Sequence, residues 1–204
     1  MHAALALADE SGLEAVTMTA IGGRLGAQAM SLYRHVRNKD EILDGIVDLV
    51  FGEIELPDEG VPWKQAMRER AISARAVLLR HPWSIAVMES RLQPGPANLH
   101  HHDAVLGHLR AAGFSSAMAT HAYNLLDSFI YGFVVQEQSL PFDTPEELAA
   151  VGEDMLRRMP ADEYPHLSAV SRDLLAAGFD YGREFDYGLD LILDGIERDW
   201  TAGR

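Results

Sequence analysis

The chain has 204 residues and a formal net charge of −14, from 17 lysines and arginines against 31 aspartates and glutamates. It contains no cysteine, which excludes a disulfide framework, a thiol nucleophile and thiolate metal sites. No apolar run approaches the roughly 18 residues that cross a bilayer, and the apolar start meets Asp9 and Glu10 at once. We therefore expect a cytoplasmic protein with no membrane partner.

The first part of the chain contains signals for four helices. Thr17 can cap the second helix, which Gly26 closes, because a glycine adopts the left-handed conformation beyond a helix end. Asn38 and Glu41 have capping-box spacing at the start of the fourth helix. The predicted helices cover residues 2–10, 17–25, 28–36 and 38–54.

A break follows at residues 56–62, which carry two prolines and a glycine. We place the domain boundary there, with a front domain over 1–56 and a second domain over 63–204. Apolar positions recur at spacings of three and four, so the whole chain is predicted to be all-α. The predicted helices of the second domain cover residues 63–80, 83–92, 99–112, 115–139, 146–159, 165–177 and 181–200. Ser115 or Ser116 can cap the fourth of them.

The segment 17–39 has the outline of a helix-turn-helix, in which the second helix lies in a major groove about 12 Å wide. Gln28 can donate and accept hydrogen bonds at base edges, and Ala29 and Met30 offer apolar contact to thymine methyl groups. An ordinary helical hairpin would give the same outline. Side chains suited to phosphate oxygens follow in the segment: Ser31, Tyr33, His35 and Lys39.

Positive charge is concentrated in the same segment. No acidic residue lies between Ala15 and Lys39, although the chain as a whole is acidic enough to be repelled by polyphosphate. Chance clustering on a solvated face is the alternative explanation of this local charge. The cations in the window are Arg24, Arg34, Arg37 and Lys39.

Three features of the run 25–43 occur together: a Leu-Gly turn at 25–26, a short helix ending in Leu-Tyr-Arg-His at 32–35, and an Asn-Lys cap at 38–39. With them, the run resembles the DNA-reading segment of the tetracycline-repressor (TetR) family. The resemblance continues more loosely into the second domain, at residues 80–81, 110–115 and 131–138, and covers most of the chain. In that domain it is similar to the tetracycline-repressor branch of the family.

The resemblance implies a fold and a function. It implies an N-terminal three-helix helix-turn-helix domain and a helical bundle for ligand binding and dimerisation. The function is that of a transcriptional regulator, a repressor that a small-molecule effector releases from double-stranded operator DNA. It further implies a homodimer formed by the helices near 120–139 and 183–200, with no enzymatic activity and no cofactor.

Carried over residue by residue, the resemblance also implies which side chains contact DNA. The residues that approach bases or sugars are Gln28, Ala29, Met30 and Tyr33. The residues that hold phosphates are Thr17, Thr19, Ser31, His35 and Lys39. Because the chain is acidic, we expect its affinity for DNA to be modest and steeply dependent on salt.

The second domain is expected to hold its effector between helices, among apolar side chains and a few polar groups. The tetracycline-binding members have His and Asn ligands and a cage aromatic where this chain has Glu55, Arg70, Glu89 and Ala74, so we do not expect tetracycline-magnesium. An acidic pair such as Glu89 and Asp127 suits a cationic or hydroxylated effector, since burying unpaired carboxylates is costly. The candidate ligand-binding residues are Arg70, Glu89, Gln93, Tyr123, Asn124 and Asp127.

Two alternatives remain open from the sequence. The run His100-His101-His102 suggests a metal site, but adjacent helical residues point about 100° apart and cannot converge on one ion, so we predict no metal. The chain as a whole could instead be an all-α small-molecule carrier or enzyme that has lost DNA function, which its acidity favours. Salt-dependent binding to a palindromic site distinguishes that alternative from a regulator.

Overall fold

The computed structural model describes residues 1–58, 60–91, 93–142 and 144–203, apart from the side chains of Glu89 and Pro145. Over these residues the chain forms eleven α-helices, a short 3-10 turn at Leu13–Ala15, and no strand. The all-α prediction is therefore confirmed. The helices are α1 (His2–Ser11), α2 (Met18–Leu25), α3 (Ala29–Leu32), α4 (Lys39–Gly52), α5 (Trp63–Arg80), α6 (Ser84–Ser90), α7 (Pro96–Ala111), α8 (Ser116–Gln138), α9 (Pro145–Arg158), α10 (Pro165–Ala177) and α11 (Tyr181–Ala202).

Side-chain caps begin several helices where the sequence predicts them. The side-chain oxygens of Thr17, Asn38 and Ser115 each accept a hydrogen bond from the backbone N–H three residues on, at 3.1, 2.9 and 3.1 Å. Gly26 ends α2 with φ +63°, in the left-handed region. The predicted capping box is incomplete, because the Glu41 carboxylate accepts from the backbone N–H of Arg37 at 2.7 Å.

Three predicted helix bounds were wrong. The α-helix predicted over 28–36 ends at Leu32, because the following N–H groups of Arg34 and His35 bond three residues back in turns. Leu32 and Val36 nevertheless pack against the core, as predicted. Helix α6 is shorter than the predicted 83–92, and α7 begins three residues before the predicted start.

The early start of α7 depends on a residue of α4. Pro96 occupies the first turn of α7, where a proline costs no hydrogen bond. The Asp48 carboxylate then accepts a hydrogen bond from the backbone N–H of Asn98 at 3.0 Å, so α4 caps α7 from outside. A Cβ atom at Gly95 would overlap the Asp48 side chain. This long-range contact ties α4 to the second part of the chain.

The core is built by apolar faces of α1, α4, α5, α7, α8 and α11. A second polar tie connects α1 to the junction between α5 and α6, where Asp9 accepts from Trp83 Nε1 at 2.8 Å and lies 2.8 Å from His81 Nδ1. Helix α9 packs on α10, where a Cβ at Gly152 would overlap Leu175.

Among the described helices, none has the length and apolar character needed to cross a membrane.

Candidate nucleic-acid interface and ligand cavity

Helices α2 and α3 are held together at very close range. A Cβ atom on Gly22 would lie 2.7 Å from the Ala27 carbonyl oxygen and 3.3 Å from the Ala29 nitrogen, so only glycine fits there. The Gly26 turn reverses the chain directly after α2. Sequence reasoning identified Gly26 and missed Gly22, because a glycine inside a helix gives no local sign of what packs against it.

This packing leaves one side of the α3 segment fully open. We call the exposed side of residues 28–35 the reading face. Met30 is 77% exposed and Tyr33 is 52% exposed, although large apolar side chains normally bury. Of the nine predicted DNA contacts, only Ala29 is half-buried, and the exposed ones are Thr17, Thr19, Gln28, Met30, Ser31, Tyr33, His35 and Lys39.

The cationic side chains beside the reading face differ in the groups that they contact. Arg24 forms an ion pair with Glu10 of α1, which offsets one of the positive charges of this segment. Lys39 Nζ donates a hydrogen bond to the Leu13 carbonyl at 3.1 Å. Arg34 and Arg37 are exposed. The local positive charge predicted from the sequence is therefore present but partly compensated.

A cavity of about 440 Å³ lies between α4, the α6–α7 connection, α7 and α8. Helix α4 contributes Asp44, Val47 and Phe51 to its lining, and Arg91 lies at its α6–α7 side. Two larger grooves lie near Trp200 and between α5 and the start of α11, and neither is lined by α4. The 440 Å³ cavity is thus in direct contact with the helix that follows the reading face.

Behind this cavity lies a group of four buried polar residues, which we call the buried cluster: Arg70, His101, Tyr123 and Asp127. Arg70 Nη2 lies 2.5 Å from Asp127 Oδ1, and Arg70 Nε lies 3.3 Å from His101 Nε2. The guanidinium carbon is 5.2 Å from the centroid of the Tyr123 ring. One charged side chain thus links α5, α7 and α8.

Burial fixes the protonation of two members of the buried cluster. Desolvation, with a contribution from the Arg70 charge, lowers the pKa of His101 to about 3. The imidazole is therefore neutral, and its Nε2 accepts from Arg70. Desolvation and the Asp127 carboxylate raise the pKa of Tyr123, which keeps its hydroxyl protonated.

The predicted ligand residues lie at different places relative to the cavity. Gln93 and Asp127 line the cavity, and Arg70 and Tyr123 lie in the buried cluster behind it. Asn124 is exposed on α8 and does not line this cavity. Of the suggested acidic pair, the Asp127 carboxylate is already paired with Arg70. The side chain of Glu89 lies outside the described residues.

Sequence reasoning missed Asp44, Arg91 and His102 in the cavity lining. Within the histidine run, His101 is buried, and His102 packs on Tyr123 with ring centroids 4.6 Å apart. The described part of the chain contains no group of His, Cys, Asp or Glu side chains able to hold a metal ion.

Both halves of the chain match known protein families. Residues 56–199 match the tetracyclin repressor-like C-terminal domain. Residues 1–46 match the bacterial regulatory proteins of the tetR family. The chain belongs to the TetR family.

Individual TetR-family proteins resemble the chain over its full length. An HTH-type transcriptional regulator of Saccharopolyspora erythraea is 34% identical over 100% of this chain and 84% of its own length. The HTH-type transcriptional repressor DrrR1 of Streptomyces coeruleorubidus is 31% identical over 97% of this chain and 75% of its own. The structure of Streptomyces coelicolor ActR in complex with (S)-DNPA has a TM-score of 0.77 and 28% identity, and covers 100% and 95% of the two chains.

These matches decide the class of the protein. TetR-family proteins are DNA-binding transcriptional regulators and not enzymes, so the chain is a regulator of this kind. The predicted family, fold and regulatory function are confirmed. The candidate residues for DNA and ligand remain predictions.

Proposed function

We propose that the protein is a homodimeric repressor that binds a palindromic operator through two copies of α3. The observation that carries this proposal is the reading face, where Met30 and Tyr33 stand in solvent while Leu32 between them packs inward. Exposed apolar and aromatic side chains at the start of a helix-turn-helix recognition helix match the chemistry of base edges and thymine methyl groups. The S. coeruleorubidus relative is itself named a repressor.

We infer the division of DNA contacts from exposure and chemistry. Base or sugar contacts are assigned to Gln28, Ala29, Met30 and Tyr33. Phosphate contacts are assigned to Thr17, Thr19, Ser31, His35 and Lys39. In this assignment Lys39 exchanges the Leu13 carbonyl for a phosphate oxygen, a stronger, charge-assisted partner.

The dimer interface in this proposal is formed by α8 and α11. Each helix buries one face in the core and leaves large apolar side chains in solvent on another: Leu125 and Val135 on α8, Tyr187 and Leu191 on α11. Two helices from each protomer would cover this apolar surface as a four-helix bundle. Replacing Leu191 with Glu is expected to give monomers in sedimentation velocity, whereas replacing the exposed Leu99 of α7 should leave the dimer intact.

The effector site in this proposal is the cavity between α4, α7 and α8. Its candidate ligand residues are Gln93 and Asp127 in the lining, with Arg70 paired to Asp127 from behind and Tyr123 packed against Arg70. ActR, a relative of similar fold, was solved in complex with the small molecule (S)-DNPA, which supports a ligand site in the second domain. We do not propose tetracycline-magnesium as the effector.

The two sites communicate in this proposal through α4. One end of α4 follows the reading face, and the other lines the cavity and caps α7 through Asp48. Two recognition helices must lie about 34 Å apart to reach successive major grooves. An effector that favours another spacing lowers DNA affinity, and DNA lowers effector affinity by the same factor. We propose the boundary between the DNA-binding part and the rest at residues 56–62.

The test is selection of operator DNA from a random duplex pool, followed by titration in increasing salt. A palindromic site bound by wild type, with an affinity that falls steeply as salt rises, supports the proposal. Tyr33→Ala and Lys39→Ala should each weaken binding, and Arg157→Gln on the exposed side of α9 should not. If the pool yields no preferred sequence even at low salt, the proposed recognition of a palindromic operator by α3 is refuted.

A further inference from the structure

Arg91 is placed between the cavity and α4. Its side chain lines the cavity, while its guanidinium holds two carboxylates of the first turns of α4. The Nη2 and Nη1 atoms lie 2.8 and 3.1 Å from Asp40 Oδ1, and Nε lies 2.8 Å from Asp44 Oδ1. One side chain therefore contacts both the ligand space and the helix that follows the reading face.

The three charged groups differ in their access to water. The Arg91 side chain is 19% exposed, whereas those of Asp40 and Asp44 are 71% and 44% exposed. A displaced aspartate can regain its hydration at little cost, while the guanidinium needs an anionic partner where it is. The free-energy change for replacing an aspartate by a ligand carboxylate on Arg91 is thus close to zero. A ligand with few other contacts can therefore drive the exchange.

The other charges at the cavity are not open to such an exchange. Asp127 is buried and paired with the buried Arg70 at 2.5 Å, so a cation from outside would have to leave one of them unpaired. Asp44 is held by Arg91 itself. Within the described lining, the charged group that can exchange its partner is therefore the Arg91 guanidinium. Because this group is a cation, it favours an anionic ligand.

We propose that the effector is an organic acid whose carboxylate replaces Asp40 and Asp44 on the Arg91 guanidinium. The proposal rests on the cavity being the effector site. The remaining lining offers Val47, Phe51 and Leu99 to an apolar body. Release of the two aspartates frees the start of α4 from the α6–α7 connection, next to Lys39 and the reading face.

The test uses a matched set of naphthalene probes: 2-naphthoate, its uncharged methyl ester, and 2-naphthylmethylamine. Binding to the full-length protein without DNA is measured by calorimetry. We expect the acid to bind about tenfold more tightly than the ester, because only the acid forms a charge-assisted hydrogen bond with Arg91. The amine should bind more weakly than the ester. The same acid should weaken binding of the selected operator, measured by fluorescence anisotropy.

Three variants separate the exchange from general binding. Arg91→Gln should abolish the preference for acid over ester. The double variant Asp40→Asn with Asp44→Asn should bind the acid about fivefold more tightly, because the competing carboxylates are gone. It should also lose most of the effect of the acid on operator binding. Arg157→Gln, which removes an arginine from exposed ion pairs on α9, should behave as wild type in every assay.

The proposal is overturned if the acid does not bind, if the ester or amine binds as well, or if Arg91→Gln keeps the preference for the acid. These outcomes are independent of the DNA proposal, since calorimetry needs no operator. If the acid binds as expected but no operator is selected, the repressor function fails and the acid site stands.

Discussion

The reading face and the buried cluster hold their functional side chains in opposite ways. On the reading face, Met30 on the four-residue helix α3 and Tyr33 directly after that helix are mostly exposed to water. In the buried cluster, Arg70 and Asp127 are removed from water and form an ion pair across two helices. The exposed side chains of the reading face are accessible to a DNA partner. The side chains of the buried cluster are inaccessible to a partner and are held in a fixed geometry behind the cavity.

This contrast indicates where each region is sensitive to change. Truncating an exposed side chain of the reading face should remove a proposed DNA contact and leave the fold intact. Truncating one member of the buried cluster leaves a charge in the core without its partner, so the fold itself suffers. The four predictions below use that difference, and each is measured as a free energy of unfolding in urea or guanidinium.

The largest effect is expected for Arg70→Met. It leaves the Asp127 carboxylate buried without a cation, which costs about 3–5 kcal/mol. The double variant Arg70→Met with Asp127→Leu should regain most of this loss, because no unpaired charge remains. Tyr33→Ala on the reading face should change stability by less than about 0.5 kcal/mol. Equal losses for Arg70→Met and Tyr33→Ala would mean that the two regions do not differ as described.

A second prediction concerns the support of the reading face. Gly22→Ala should destabilise the protein by about 1–3 kcal/mol, because its Cβ overlaps the Ala27 carbonyl. Gly23→Ala is the matched control, since nothing lies within 4 Å of its Cβ and alanine favours a helix by about 0.5–1 kcal/mol. A Gly22→Ala variant as stable as Gly23→Ala would contradict the close approach of α2 and α3.

The third prediction is a pH dependence of the buried cluster. The pKa of His101 is about 3 in the folded protein against an ordinary value of 6.5, so only the unfolded chain binds this proton at pH 5. Its contribution to stability is complete above pH 6.5 and falls as the pH drops towards 3. Between pH 7.5 and pH 5, wild type should lose about 2 kcal/mol more than His101→Phe. The exposed His121→Gln variant should keep the wild-type pH dependence.

The smallest effects on stability are expected for helix caps. The cost of removing a cap should be similar in the front domain and in the second domain. Asn38→Ala before α4 and Ser115→Ala before α8 should each cost about 1 kcal/mol, because each frees one N–H hydrogen-bonded by the cap. Thermal or urea unfolding of the two variants measures the costs. A several-fold difference between them would show that the caps depend on their tertiary surroundings.

The sequence predicted what neighbouring residues determine. Thr17, Asn38 and Ser115 cap helices because their side chains reach a backbone N–H three residues away. The reading face followed from a short run of residues with a specific pattern. Its exposure needed no knowledge of distant parts of the chain.

Long-range partners escaped prediction. Arg70 and Asp127 appeared separately among the ligand candidates, but nothing in the sequence showed that they pair with each other. The same holds for Asp48, which caps α7 from α4, and for Arg91, which holds Asp40 and Asp44. Each contact joins residues 47 to 57 positions apart in the chain. Such pairs depend on how helices pack rather than on helical periodicity.

The central claim is that two exposed α3 segments lie in successive major grooves of one DNA face. Hydroxyl-radical footprinting of the selected operator tests it most directly, with wild type and Tyr33→Ala compared at equal protein concentration. The account predicts two protected patches about one helical turn apart, both lost in Tyr33→Ala. A single continuous footprint, or two patches that Tyr33→Ala leaves unchanged, would contradict it.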